Sequence, residues 1–200
     1  MSIKLKGATS GSVELDVPAA VTGGDVNLSL PGAGTVDRLE RAGNILQVVS
    51  TTKTDVFSLA TQTPTLITGL TASITPSSSS SKVLISIDMC VSAGAANYTT
   101  WFYLYRGGSV ITGAQAANSG GIQGNQERAF KMCRNSSSND ATAIAGMYLD
   151  SPSTTSATTY QVYMSGESGQ THYINKMANE QNYSYTPRTV ANITIMEIAA

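Results

Sequence analysis

The chain has 200 residues, room for one domain or a domain with a short appendage, and only 12% of them are charged. Its 12 basic and 13 acidic side chains leave a net charge of −1 with no basic stripe, which argues against a nucleic-acid partner. No apolar run approaches the ~18 residues of a membrane-spanning helix, and no apolar run follows the lysines of the N-terminus, so neither a membrane role nor a secretory signal is expected.

Three short alternating runs open the chain: Ile3 to Leu5, Val13 to Val17 and Val26 to Leu30. Each sets apolar residues on one face and polar residues on the other, the period of a half-buried strand. Gly- and Pro-containing stretches separate them. Their inward residues Val13, Leu15, Val17, Val26, Leu28 and Leu30 are too few for a core of their own. They are expected to be covered by other surfaces, which makes them candidate assembly residues. Thr35 to Gly43 is the one helical candidate, with Asp37 and Glu40 spaced as in a capping box and Gly43 as a stop. Residues 1–45 therefore read as an attachment or intertwining segment.

Longer strands occupy residues 46–200. Ile45 to Val49 is apolar, Thr51 to Ser58 is Thr-rich and Leu66 to Ile74 alternates, followed by a polar turn at Pro76 to Ser81. Lys82 to Val91 places Val83, Ile85, Ile87, Met89 and Val91 on one face. These are expected to point into a core opposite the Tyr160 to Met164 and Ile193 to Ile195 strands. Thr99 to Tyr105 is aromatic, and Arg106-Gly107-Gly108-Ser109 reads as a tight hairpin into Val110-Ile111. Ala129 to Cys133, Ala143 to Leu149, Thr158 to Met164 and Val190 to Ile198 complete eight or nine strands. Short strands with Gly, Ser, Pro and Asn turns predict an all-β antiparallel sandwich, jelly-roll-like, preceded by a short extended β segment.

The catalytic repertoire is thin. His172 is the single histidine, and with no nucleophile signature nearby it reads as a surface or hydrogen-bonded loop residue. Asp150, followed by Ser151-Pro152, reads as a turn-capping carboxylate. Asp150, Glu167 and His172 are the groups that turns at one end of a sandwich could bring together. Cys90 and Cys133 fit no zinc spacing and read as free, buried thiols. No enzyme activity, cofactor or metal is expected.

Aromatic residues concentrate in one strand, where alternation puts Trp101, Tyr103 and Tyr105 on one face and Phe102 and Leu104 on the other. Rings on both faces predict a central strand between the core and a subunit interface. The competing use of such rings is to stack on sugars. Trp101, with the loop residues Tyr173, Tyr183 and Tyr185, is the candidate glycan contact on that reading.

Several stretches resemble virion structural and tail-fibre proteins of tailed bacteriophages. Gly11-Ser12-Val13-Glu14-Leu15 with Leu28-Ser29-Leu30-Pro31-Gly32 is similar to short N-terminal modules of such chains. Leu46-Gln47-Val48-Val49, Ile74-Thr75-Pro76-Ser77, Ser81-Lys82-Val83-Leu84 and Arg106-Gly107-Gly108 resemble the β-domain that follows. So do Leu149-Asp150-Ser151-Pro152, Thr159-Tyr160 and Ile195-Met196-Glu197-Ile198. The resemblance implies a non-enzymatic virion protein, a homotrimeric short fibre or capsid decoration (cement) protein, assembled in the host cytoplasm with other capsid or tail proteins. The alternative is a lectin-like receptor-binding domain for host surface glycans. A polysaccharide depolymerase is disfavoured, because that activity is usually carried on long repetitive β-helices and no repeat is visible here.

Overall fold

The computed structural model describes residues 3–6, 12–15, 42–117, 126–184, 186 and 188–200. The chain divides into two units, Met1–Leu39 and Glu40–Ala200. In the first, β1 (Ile3–Lys6) pairs antiparallel with β2 (Ser12–Leu15), in a register running from Ile3 opposite Leu15 to Lys6 opposite Ser12. The first two alternating runs thus form a hairpin. The third run, Val26 to Leu30, and residues 35–41 of the helical candidate lie outside the described residues, as does Val17. Gly43 sits in a turn with φ +87°.

The second unit is an antiparallel β-sandwich. Its strands are β3 (Ile45–Lys53), β4 (Phe57–Leu59), β5 (Thr65–Ile74), β6 (Lys82–Ala93), β7 (Thr99–Arg106), β8 (Ser109–Val110), β9 (Lys131–Arg134), β10 (Thr142–Asp150), β11 (Thr158–Gly166), β12 (His172–Ile174) and β13 (Ala191–Ile198). One sheet runs β3-β13-β6-β12-β4 with β10 on the far edge of β6; the other runs β5-β11-β7-β8 with β9 beside β7. The described strands outnumber the expected eight or nine because β4, β8 and β12 are two- or three-residue pieces. No alternation is visible over three residues, so tertiary pairing alone creates them. The hairpin between β7 and β8 closes as expected, with Gly107 at φ +56° and Gly108 at φ +81°. Two successive positive-φ positions are what a mirror-image two-residue turn requires.

Alternation along β6 sends Val83, Ile85, Ile87 and Met89 into the core, each at most 1% exposed. Across from their sheet lie Tyr160, Val162 and Met164 of β11 and Phe102 and Leu104 of β7, all buried. Ile193 and Ile195 are placed differently from the expectation. They are beside β6 in the same sheet, Ile195 opposite Ile85 and Ile193 opposite Ile87 in register. Paired strands turn the same parity to the same side, so these residues share the core without facing it from the other layer.

Two buried carboxylates lie at the same end of the sandwich, both opposite Val83 in register. Asp150, at the end of β10, accepts from Arg106 Nη1 and from the Tyr160 hydroxyl, each at 2.7 Å. Arg106 and Tyr160 belong to the other sheet, so this carboxylate is a clamp between the layers and more than the turn cap its sequence implies. Glu197, fully buried on β13, makes no salt bridge among the described residues. It accepts instead from Gln47 Nε2 at 2.6 Å and from the Ser77 backbone N–H and hydroxyl, both at 2.7 Å. Burial by itself raises its pKa, but these donors and Ser81 together outweigh that and hold it below the ordinary carboxylate value.

Candidate functional site

β12 leads into a stretch rich in polar side chains. Tyr173, its central residue, is half-buried and turned outward, while His172 and Ile174 on either side are fully buried. Asn175 follows with φ +67°, and its side-chain N–H group donates to the carbonyls of Lys53 at 2.9 Å and Asp55 at 3.1 Å. The Thr189 N–H returns to the Asn175 carbonyl at 3.2 Å, closing the intervening chain at its base. Glu180 staples the same excursion from within, accepting from Lys176 Nζ at 3.3 Å and from Arg188 Nε at 2.6 Å. The described ends of this loop are thus tied to one another by its own side chains.

Two adjoining depressions flank that loop. One, of about 420 Å³, is lined by Gly94, Ser138, Gln170, Thr171, Tyr173, Ala178 and Asn179. The other, of about 580 Å³, is lined by Asn139, Met177, Asn179, Gln181, Tyr183 and Thr186. Asn179 is common to both. Its N–H group donates to Asn139 Oδ1 at 2.8 Å, its Oδ1 accepts from Gln181 at 3.2 Å, and its backbone N–H bonds the Ser138 carbonyl at 3.1 Å. Gly94 leaves space for Gln170, since a Cβ there would lie 2.6 Å from Gln170 Oε1. Tyr183 is 57% exposed, whereas one ring face of Tyr173 is taken by Lys176 Nζ, 4.7 Å from its centroid. None of the described lining residues carries a charge.

The structure therefore brings Tyr173 and Tyr183 together around Asn179 and separates Trp101 from them. Trp101 stands on the outer face of the second sheet, beside Met132 and Ser165 in register, and lines neither depression. Tyr185 lies outside the described residues. On that outer face Tyr105 stacks on Tyr163 with centroids 3.8 Å apart, and Tyr103 is buried with its hydroxyl bonded to Glu127 and Ser165. Among the expected assembly residues, Val13 and Leu15 lie on β2, and Val17, Val26, Leu28 and Leu30 are outside the described residues. Sequence reasoning passed over Asn179, Gln170, Gln181 and Thr186. The density of amides between Gln170 and Asn182 was the available signal.

His172 corrects the sequence reading. It is on a strand, fully buried, with Nδ1 2.7 Å from the Thr100 hydroxyl and Nε2 3.1 Å from the Glu167 carbonyl oxygen. Nε2 therefore donates to that carbonyl, and in the neutral ring Nδ1 accepts from the Thr100 hydroxyl. The Glu167 carboxylate turns elsewhere, accepting from the Thr99 N–H at 3.0 Å, and Asp150 is engaged in its clamp. The three groups form no side-chain constellation. Cys90 is half-buried and Cys133 buried, both free, and burial pushes the Cys133 thiol up to about 11. Among the described residues no group of three His, Cys, Asp or Glu is placed to hold a metal ion.

Burial holds the His172 pKa below its ordinary value of 6.5, against the opposing pull of Glu167. The unfolded chain thus takes up a proton near pH 6.5 that the folded chain refuses. This contribution should be constant above that pH and fall as pH drops from about 6.5 through the folded-state pKa. Glu197 adds a second loss, from its unfolded value near 4.5 downward. Urea midpoints measured between pH 8 and pH 2 should show both phases, and His172→Gln should remove the upper one. A midpoint flat between pH 7 and pH 5 in the unaltered chain would exclude a neutral buried His172.

No family model matches this chain, and no curated protein is similar to it. Among solved structures, a chain in the structure of the Gt strain of infectious bursal disease virus is 14% identical over 97% of this chain and 46% of its own length, with a TM-score of 0.42. A chain of T=1 particles derived from the same virus is 13% identical over 98% and 44%, also with a TM-score of 0.42. This chain spans less than half the length of either. At such identities and TM-scores, nothing about what this chain does passes from them.

Proposed function

We propose that this chain is a non-enzymatic structural protein of a bacteriophage virion. In this reading it is displayed on the particle surface as a homotrimeric short fibre or capsid decoration protein, with residues 1–45 attaching or intertwining and residues 46–200 projecting. It assembles in the host cytoplasm with capsid or tail partners. The sequence resemblance supports the setting; one feature of the sandwich carries the assembly. On the outer face of the first sheet the registers align Val48, Met196, Leu84 and Leu149 in one row across four strands. The next row is Ser50, Thr194, Ser86 and Met147, and Val48, Leu149 and Met147 are 56%, 49% and 68% exposed.

An apolar row of this kind is uncommon on a surface that stays in water. Its occupant in this reading is a second copy of the chain. A side chain lying on a symmetry axis meets its own copies, so a charge there would face an identical charge; these eight positions hold none. Light scattering at micromolar concentration should give a trimer, and Met147→Lys with Leu149→Lys should shift it to monomer while the circular dichroism of the sandwich is retained. A monomeric unaltered chain, or a trimer indifferent to both lysines, overturns the assembly. Cryo-EM of the particle tests the virion setting itself.

A further inference from the structure

We propose that the free edge of β10 pairs with β10 of a second copy of the chain, antiparallel about a twofold axis at Gly146, so that the first sheet continues from one copy into the next. The inference goes beyond the virion reading and does not rest on it, because it uses only this strand and its neighbours.

β10 pairs with β6 on one side and with no described strand on the other. Which of its backbone groups are free follows from β6. The Cys90 carbonyl accepts from the Asn175 N–H at 3.1 Å, and the N–H of Gly94, just beyond β6, donates to the Thr171 carbonyl at 2.9 Å. Even-numbered residues of β6 therefore turn their backbone groups away from β10. The odd-numbered ones turn toward it and stand opposite Thr142, Ile144, Gly146, Tyr148 and Asp150. The N–H and C=O groups of Ala143, Ala145, Met147 and Leu149 thus point out of the sheet edge, and their side chains are all exposed. Natural sheets blunt such edges with lysine, proline or a bulge. The run Thr142 to Leu149 contains no charge and no proline, and its register with β6 has no bulge. Such an edge is a template for another strand.

The strand's own sequence complements it. With Gly146 on the axis, Ala143 stands opposite Leu149 of the second copy and Ala145 opposite its Met147. Each pair exchanges two backbone hydrogen bonds and sets a small side chain against a large one. On the inner side Ile144 meets Tyr148, and Asp150, the one charge of the strand, meets the Thr142 hydroxyl. A parallel pairing in register would set Asp150 against Asp150, so charge selects the antiparallel arrangement. One charge opposes the contact: Lys131 Cε lies 2.6 Å from where a Gly146 Cβ would be, which brings two lysines near the axis. Salt should therefore tighten the pair. The contact is also small. A strand of nine residues is about 30 Å long and one layer about 10 Å deep, so it covers roughly 300 Å² of each copy, against about 800 Å² in a stable complex. It joins copies at high local concentration, and it is compatible with the outer-face contact, which is perpendicular to the sheet edge.

The test is sedimentation and NMR on the full chain. Between about 50 µM and about 1 mM the mass should rise toward twice that of the dilute species, whatever its size, and the amides of Ala143, Ala145, Met147 and Leu149 should exchange several-fold more slowly. In a mixture of 13C-labelled and unlabelled chains, a filtered NOE should join Ile144 Hα to Tyr148 Hα, which are about 13 Å apart within one strand and face each other across this register. Ala145→Pro should weaken association about tenfold or more, yet leave the circular dichroism and the mass of the dilute species unchanged, because that N–H bonds nothing within the chain. Ala145→Lys is the second variant, should proline disturb folding. A mass constant up to about 1 mM, association indifferent to both variants, or an NOE joining other residues overturns the pairing. Loss of the trimer with this pairing intact would overturn the outer-face contact instead.

Discussion

Truncating Ile87 to Ala is expected to destabilise the sandwich by about 2–5 kcal/mol, the usual range for a large-to-small change in a closed core. Ile87 is 1% exposed and lies between Ile193 on one neighbouring strand and Gly146 on the other. Gly146 has no side chain to move into the space. The space it lacks is already taken by Phe130 and Lys131, whose atoms come within 2.9 Å of where its Cβ would be. Gly146 therefore cannot help to fill the cavity, and the cost should fall in the upper half of that range. Ile85 to Ala should be milder, because Tyr148 flanks it and has rotamers with which to relax. Urea denaturation compares the two, and a loss under about 0.5 kcal/mol at Ile87 would show that this face of β6 is not the core face.

The second large effect is expected at Gly166. A Cβ there would lie 2.6 Å from Cγ of the His172 ring and closer still to Cδ2 and Nε2. Since the ring is fully buried and held at both nitrogens, Gly166→Ala must push it off Thr100 and Glu167. Overpacking costs about 1–3 kcal/mol, and each buried polar group left unpaired adds about 1–3 kcal/mol, so a loss of about 3–5 kcal/mol is expected. In a His172→Ala background the added methyl has room. The same substitution should then cost under about 1 kcal/mol, and the difference is the coupling of the two sites. Equal costs in both backgrounds would mean that the ring does not occupy the space above Gly166.

The Gly166–His172 contact shows why a lone histidine was misread. Residues 166 to 172 are close in sequence and include turn-formers, so a polar loop was the natural expectation for His172. What buries it is the pairing of β12 between β4 and the far end of β6, with partners more than a hundred residues away in one direction and about eighty in the other. Nothing local marks a three-residue strand. The same reason hid the clamp role of Asp150: its carboxylate is explained by Arg106 and Tyr160, which reach it from the opposite layer.

Local chemistry was sufficient where a side-chain period or a turn is itself the structure. Alternation along Lys82 to Val91 named the inward residues correctly, alternation along Thr99 to Tyr105 separated its two faces, and the Gly107-Gly108 pair named the hairpin, because period 2 and positive φ are properties of single strands and turns. An all-β sandwich followed from those signals. Which strands are neighbours and which face each other was decided only by tertiary structure, as Ile193 and Ile195 show, because alternation gives the side of a sheet and not the identity of the strand beside it. The candidate site divides in the same way. Tyr173 and Tyr183 were legible as loop aromatics, but their meeting at Asn179, and the exclusion of Trp101, came from long-range closure of the chain between Asn175 and Thr189 over the 138–139 turn.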